Sequence, residues 1–251
     1  MAVTPNFESF HKEYEAERNQ VVFSKLTSDL ETPVSIMLKL GEAKTNSFIL
    51  ESVTGGETRG RYSIIGMEPD LIWKCDGDRS FLSSGGEEFI YIEGEPLTVF
   101  RNILKKSKIK LPEDLPQASA GLFGYFGYDM VRHVENLPNI NPDKIGLPDA
   151  MFIRPSIIAV LDGVKGEVIL VSPVFYDTKT SSKEAFKKAQ NKIVTATREL
   201  KRQIIKNRNL GKSGKVGKPH SNFTKEDYKS AVKKAKNYIW LLLGVLHRNQ
   251  A

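Results

Sequence analysis

The feature that most constrains the fold is a series of short β-prone runs separated by turn residues. The runs are interrupted by Asp-Gly-Asp at 76–78, Ser-Ser-Gly-Gly at 83–86 and Asp-Gly at 162–163. Asp and Gly adopt the backbone angles of tight turns, and Asp-Gly between apolar runs is a strong hairpin signal. The pattern therefore predicts antiparallel strands joined by short connections.

Segments with the apolar spacing of helices lie before, between and after these runs. Asn6 is a candidate cap for a helix over 6–18, and Thr32-Pro33 begins a short helix that ends at Gly41. Clustered strands with helices between and after them predict an α+β fold, with two antiparallel β-sheets packed as a sandwich, outer helices, then a linker and a stub helix. Further helices are predicted from 96, over 181–208 and from 224, and strands over 21–26, 48–53, 61–67, 70–75, 79–82, 89–92, 120–127, 151–161 and 167–171.

Polar chemistry is concentrated in a predicted hairpin over residues 48–66, with Gly55-Gly56 as its turn. A carboxylate can bind an ammonium group, a guanidinium can bind a carboxylate, and apolar side chains can hold an uncharged group. A carboxylate, a guanidinium and apolar side chains together are suited to bind an amino acid. The alternative is an ordinary hairpin with a solvated Glu-Arg pair, because strand alternation puts Glu51 and Ser52 on opposite faces. The candidate ligand-binding residues are Leu50, Glu51, Ser52, Arg61, Tyr62 and Ser63.

Another glycine-rich segment, 120–127, places Gly121, Gly124 and Gly127 among aromatic residues. Glycines at such spacing are typical of a buried strand that another group approaches closely. That group is either a neighbouring strand or the ligand, and tight packing is the simpler interpretation.

Three stretches, in one order, resemble the amino-terminal domain of anthranilate synthase component I. They are L-E-S at 50–52, G-R-Y-S-I-I-G at 60–66 and G-Y-F-G-Y-D-M-V-R-H-V-E at 124–135, and the likeness covers about residues 7–238. The resemblance implies that residues 50–52 belong to the allosteric pocket for L-tryptophan, the end product that inhibits the enzyme. It assigns residues 61–63 to that pocket less directly, and it makes 120–127 a wall near the pocket.

The same resemblance implies a division of the chain. Residues 1–208 would form the regulatory, tryptophan-sensing domain, and 209–222 would form a flexible linker rich in Gly, Lys and Ser. Residues 223–251 would begin the chorismate-binding catalytic domain, although the tail from Trp240 does not match the family. The chain is therefore interpreted as truncated or frame-shifted before that domain.

In the complete family enzyme, chorismate and ammonia derived from glutamine give anthranilate and pyruvate, the first step of tryptophan biosynthesis. A glutamine amidotransferase subunit supplies the ammonia, and catalytic-domain carboxylates hold magnesium. We expect this chain to carry no catalytic residue, metal ligand or cofactor, to be inactive alone and to bind tryptophan weakly. Two alternatives remain: a fragment of the para-aminobenzoate synthase large subunit, and a non-catalytic module that docks to an amidotransferase subunit.

The net charge of +7 is unevenly distributed. From Thr178 onward there are 19 Lys and Arg against 4 Asp and Glu, whereas residues 1–177 have 18 against 26. No aromatic-basic platform or known nucleic-acid-binding motif accompanies this charge, so no nucleic-acid partner is expected. Cys75 is the single cysteine, the amino end lacks a signal-peptide pattern, and the longest apolar run, 238–246, is below the roughly 20 residues of a bilayer span. The sequence predicts a cytoplasmic chain without a membrane span.

Overall fold

The computed structural model describes residues 2–28, 30–41, 44–51, 61–137, 142–143, 145–204, 217 and 219–248, without the side chains of 242–248. Two compact units divide the chain, residues 1–204 and residues 205–251. The larger unit contains an antiparallel sheet with helices packed on it. Its strands are β1 (Gln20–Thr27), β2 (Phe48–Leu50), β3 (Tyr62–Asp76), β4 (Arg79–Ser84), β5 (Ile90–Ile92), β6 (Phe123–Phe126), β7 (Ala150–Asp162) and β8 (Glu167–Val174), and its helices are α1 (Phe7–Glu15), α2 (Pro33–Leu40), α3 (Pro96–Lys106) and α4 (Ser182–Leu200).

The sheet is organised around the long ladder between β3 and β7. The strand order is β1-β8-β7-β3-β4-β5, with β2 added to β3 and β6 added to β7. The β3–β7 register runs from Tyr62 opposite Asp162 to Cys75 opposite Ala150, and it shifts between Pro69 and Leu71. This β-bulge divides the sheet into a half that carries β1, β8 and β2 and a half that carries β4, β5 and β6.

The predicted α+β class, with antiparallel strands and outer helices, is confirmed. The prediction of two sheets needs correction, because the described strands form one hydrogen-bonded sheet. Sequence analysis divided β3 into runs over 61–67 and 70–75, since Pro69 interrupts the β-prone pattern. The bulge accommodates Pro69 without ending the strand, so the two halves of the sheet remain connected.

Alternation along the strands produces two cores on opposite faces of the first half. Ile157, Ala159 and Leu161 of β7 join the core under α1, α2 and α4. Ile158 and Val160 join the opposite core, which loop residues from 109 to 120 help to cover. A third core lies against α3, with Trp73 and Phe100 at 4.7 Å between ring centroids. Period-two patterning thus determines which face each side chain occupies.

Helix ends follow the cap chemistry of the sequence. The Asn6 side chain accepts a hydrogen bond from the Ser9 N–H at 2.9 Å, and Thr32 and Ser35 form a capping box at α2. Both caps were predicted. Helix α4 begins as predicted, with Ser181 as its cap, but it ends at Leu200 rather than at 208. Residues 205–208 of that prediction lie outside the described residues.

The second unit contains α5 (Lys225–Arg248). The Thr224 hydroxyl accepts a hydrogen bond from the Asp227 N–H at 3.1 Å, which confirms the predicted cap. The described side chains of α5, residues 225–241, are exposed. Most of the predicted linker, 209–222, lies outside the described residues. No helix in the described part of the chain is long and apolar enough to cross a bilayer.

Candidate functional site

The predicted hairpin is present as an antiparallel pair of β2 and β3. Phe48 pairs with Gly66, Ile49 with Ile65 and Leu50 with Ile64. Ser52 and the Gly55-Gly56 turn lie outside the described residues. The structure therefore describes five of the six candidate ligand-binding residues.

Leu50 and Glu51 lie at the open end of β2. Leu50 is 50% exposed, which is unusual for a leucine within a paired strand, and Glu51 follows the last paired residue and is exposed. Among the described residues, no cationic group lies within ion-pair distance of the Glu51 carboxylate. An apolar side chain and an unpaired carboxylate are thus available to a ligand at this end of the strand.

Arg61 is held by a carboxylate that sequence analysis treated only as a turn residue. Its Nε donates to Asp162 Oδ1 at 2.9 Å and its Nη2 to Asp162 Oδ2 at 2.6 Å. The Asp162 side chain is 3% exposed and also accepts from the N–H groups of Val164 and Lys165 in the β7–β8 turn. The Arg61 hydrogen bonds lower the pKa of Asp162 and raise the pKa of Arg61. Within the described part of the chain, Arg61 Nη1 has no hydrogen-bond acceptor.

Tyr62 and Ser63 occupy different faces of β3. The Tyr62 ring packs against the second core, and the Arg61 guanidinium carbon lies 4.9 Å from its centroid. Ser63 is 8% exposed and, by alternation, points to the face of the first core. The structure brings Leu50, Arg61 and Tyr62 near one end of the sheet, whereas Ser63 lies on the other side.

The glycines near the hairpin make room for neighbouring groups of the protein. A Cβ on Gly66 would lie 2.4 Å from the Phe48 ring, and one on Gly124 would lie 1.9 Å from the Met151 carbonyl oxygen. Strand β7 therefore accounts for Gly124, in agreement with the packing interpretation. The Phe48 ring is 4.8 Å from the Phe123 ring at the start of β6, so this segment contacts the hairpin. Strand β6 is less buried than predicted, since Phe126 is 48% exposed.

Cys75 is not a nucleophile. It lies in the third core with no exposed surface, and burial together with nearby carboxylates raises its pKa to about 12. A thiol in such surroundings stays protonated and inert. The described residues also contain no group of three or more His, Cys, Asp or Glu that could hold a metal ion.

A second polar region, absent from the sequence interpretation, lies at the bulge of β3 under α4. We call it the bulge cleft and define it by Lys44, Glu68, Asp70, Arg154, Ser156, Lys188 and Lys192. A signal was present in the sequence: Lys192 directly precedes Ile193 of the apolar stripe of α4, where a lysine borders the core. The partners of Lys192 come from β3 and β7, and the sequence pattern does not connect these strands to the helix.

Comparison with known proteins identifies the family. The chorismate binding enzyme family matches residues 45–240. The chain belongs to this family. It is a homologue of anthranilate synthase component 1: the protein of that name from Cereibacter sphaeroides is 52% identical over 238 residues, which cover 93% of this chain and 48% of that protein. The protein from Pseudomonas putida is 35% identical over 221 residues, which cover 84% and 43%.

A crystal structure of anthranilate synthase component I from Streptococcus pneumoniae matches with 26% identity and a TM-score of 0.45, over 69% of this chain and 36% of that chain. The chain thus spans about half the length of the curated relatives it matches. The family match at 45–240 covers most of the segment interpreted as regulatory and continues into α5. It gives no boundary between a regulatory and a chorismate-binding part.

Proposed function

We propose that residues 1–208 act as the tryptophan-sensing part of a protein of the anthranilate synthase component I type. The observation that carries the proposal is the end of β2, where Leu50 is half exposed beside the carboxylate of Glu51, which has no cationic partner among the described residues. The Glu51 carboxylate would bind the ammonium group of tryptophan, and the Nη1 edge of Arg61 would bind its carboxylate. Leu50 and Tyr62 would contact the indole ring.

Weak binding follows from this arrangement. Asp162 already neutralises Arg61, so the attraction between the guanidinium and a ligand carboxylate is reduced. The family resemblance also implies that other parts of the complete protein finish the pocket. Each contact worth about 1.4 kcal/mol that is missing from the chain weakens binding about tenfold.

The test is a titration with L-tryptophan, followed by the backbone amide NMR signals of Leu50, Glu51 and Ile64. We expect shifts that saturate at millimolar concentrations, and a weaker response in Glu51→Gln. Glu88→Gln is the matched control, because Glu88 is an exposed glutamate in the segment between β4 and β5. The absence of saturation, or equal responses of the two variants, would overturn the proposed site. Micromolar affinity in calorimetry would overturn the expectation of weak binding.

We also propose that conversion of chorismate to anthranilate needs the part of the relatives that this chain does not span. The chain mixed with chorismate, ammonia and magnesium is expected to produce no anthranilate fluorescence. Measurable turnover would show that residues 1–251 suffice for the lyase reaction.

A glutamine amidotransferase subunit is the proposed partner of the complete protein. The described surface after β6 offers a candidate contact region, since Tyr128 is 86% exposed, Val134 68% and Leu147 65%. Exposed apolar side chains in one region are typical of interfaces. Co-purification with the amidotransferase subunit, reduced by Tyr128→Ser, would support an interaction module. A chain that remains alone in gel filtration would count against it.

A further inference from the structure

Three cavities of the first unit meet around one pair of lysines. Lys188 and Lys192, one turn apart on α4, line cavities of about 470, 290 and 510 Å³. The first cavity lies toward Arg154 and Phe175, the second toward Met67, and the third toward Asn46 and Gly86. The bulge of β3 opens this space, because it turns Glu68 and Asp70 away from a regular ladder.

Arg154 and Lys44, two of the other cations of the bulge cleft, have carboxylate partners. Arg154 donates to Asp70 through Nε at 2.7 Å and Nη2 at 3.1 Å, and its guanidinium carbon lies 3.7 Å from the Phe175 ring centroid. Lys44 lies 2.8 Å from Glu68 and 3.5 Å from Glu199. In these pairs the carboxylates neutralise the positive charges of Arg154 and Lys44.

Lys192 differs from these cations. It donates to Ser156 Oγ, and the Ser156 hydroxyl donates in turn to the Glu68 carbonyl oxygen at 2.5 Å. This chain of hydrogen bonds fixes Ser156 as an acceptor for the lysine. No carboxylate oxygen of the described residues lies within 4.0 Å of Lys192 Nζ. An ammonium has three N–H groups, so two of those of Lys192, which lines the cavities, have no acceptor among the described residues.

We propose that the bulge cleft binds a small oxyanion, a phosphate or a carboxylate, between Lys192 and Lys188. The anion would accept the two remaining N–H groups of Lys192 and would compensate for the burial of this ammonium. Charge-assisted hydrogen bonds at a partly desolvated lysine are stronger than those at an exposed one. The site lies six residues along β3 from Tyr62, about 20 Å away, and is separate from the proposed tryptophan site.

The surrounding charges limit the ligand to a small one. Glu68 and Asp70 line the cavities, and Asp177 lines the first one, where the Lys179 backbone N–H and the Thr180 hydroxyl donate to its carboxylate. A second negative group on the ligand would approach these carboxylates. A single oxyanion centre therefore fits better than an extended polyanion.

Burial lowers the pKa of Lys192, with Lys44 and Lys188 acting in the same direction and Glu68 and Asp70 opposing. A bound anion stabilises the protonated amine and raises that pKa. Anion affinity is therefore expected to fall as pH rises through the pKa of Lys192. Arg154 and Glu199 also line the cavities.

The experiment is a titration of the whole chain with inorganic phosphate and, separately, with acetate, at constant ionic strength maintained with chloride. The lysine Cε and Hε NMR signals report on Lys192. We expect a shift that saturates with at least one anion, and at least tenfold weaker binding in Lys192→Met and in Lys188→Met. Phosphate alone, acetate alone, or both would identify the oxyanion class.

Lys187→Met is the matched control, because Lys187 is exposed on the same helix and lines none of the three cavities. It is expected to bind like the unmodified chain. Lys188 is also exposed, so loss of binding in Lys188→Met cannot be attributed to misfolding. A shift that grows linearly with both anions, or an equal loss in Lys187→Met, would overturn the proposal and indicate general screening of surface charge.

Discussion

The two ends of the first half of β3 both carry charged groups, but the charges are used differently. At the hairpin end, Arg61 meets the buried carboxylate of Asp162 in a two-point contact. At the bulge, Arg154 and Lys44 are paired with carboxylates, while Ser156 is the one hydrogen-bond partner of the Lys192 ammonium among the described residues. A cation beside a buried carboxylate supports the fold, whereas a half-buried cation with spare donors is suited to bind an anion. Both ends contain similar residue types, so the different roles of Arg61 and Lys192 come from the groups that contact them.

The largest effect that would test this contrast is expected from Asp162→Ala. The substitution leaves Arg61 unpaired and two N–H groups of the β7–β8 turn without their acceptor. We expect the free energy of unfolding to fall by about 2–4 kcal/mol, measured by urea denaturation. Asp114→Ala is the control, because Asp114 pairs with Lys25 and is 56% exposed, so about 1 kcal/mol or less is expected there. Equal losses would show that the Arg61 pair is no stronger than a surface pair.

Gly66→Ala tests the packing that holds the hairpin. The new methyl group would meet the Phe48 ring and Pro155 Cγ at 2.4 and 2.8 Å, so the ring must move. We expect a loss of about 1–3 kcal/mol, with faster amide exchange in β2. Gly163→Ala is the control at the same end of the sheet, since its methyl group would lie 3.5 Å from the nearest atom, the Arg61 carbonyl oxygen. If amide exchange in β2 is equally fast in Gly66→Ala and Gly163→Ala, packing of the Phe48 ring does not stabilise β2.

The pH dependence of stability should also reveal the contribution of the Arg61–Asp162 pair at the hairpin end. The pKa of Asp162 is lower in the folded chain, because Arg61 donates two hydrogen bonds to it. Its contribution to stability is therefore complete above the unfolded-state pKa of about 3.9 and is lost as pH falls through the lower folded value. Unfolding curves of the unmodified chain and Asp162→Asn, measured from neutral pH downward, should differ most at neutral pH and converge in acid. A constant difference would contradict this expectation.

The smallest change, of opposite sign, is expected from Lys192→Met. Removing a charge that is disfavoured by burial offsets the lost hydrogen bond to Ser156, so stability should rise by up to about 1 kcal/mol. The control is Lys39→Met, because Lys39 pairs with Glu31 and the two side chains are 14% and 18% exposed. We expect that control to lose about 1–3 kcal/mol in thermal unfolding. A comparable loss for Lys192→Met would mean that its ammonium is structurally satisfied.

Local chemistry made much of the fold predictable. Asn6 and Thr32 cap their helices because the side chain that accepts and the N–H that donates are only three residues apart. The β7–β8 hairpin followed from Asp-Gly between two apolar runs. Pro69 misled the interpretation of β3, since a bulge can accommodate a proline that would disrupt a regular ladder.

The candidate site was harder to predict than the fold. Leu50 and Glu51 are accessible, as a ligand-binding role requires, but the spacing of Arg61 to Ser63 did not indicate that Arg61 would already be paired. Its partner, Asp162, is 101 residues away in the chain. No periodicity connects positions so far apart.

The amino-acid order alone therefore established the elements that depend on neighbouring residues: caps, turns, the alternation of strands and the family resemblance. Which charges are neutralised, and which remain for a ligand, depended on how β3, β7 and α4 come together in space. The physical reason is the separation along the chain over which each kind of interaction acts. Backbone preferences and caps act over three or four residues, whereas electrostatic pairing and burial depend on distance in the folded chain, and so Lys192 and Asp162 acquired their roles only on folding.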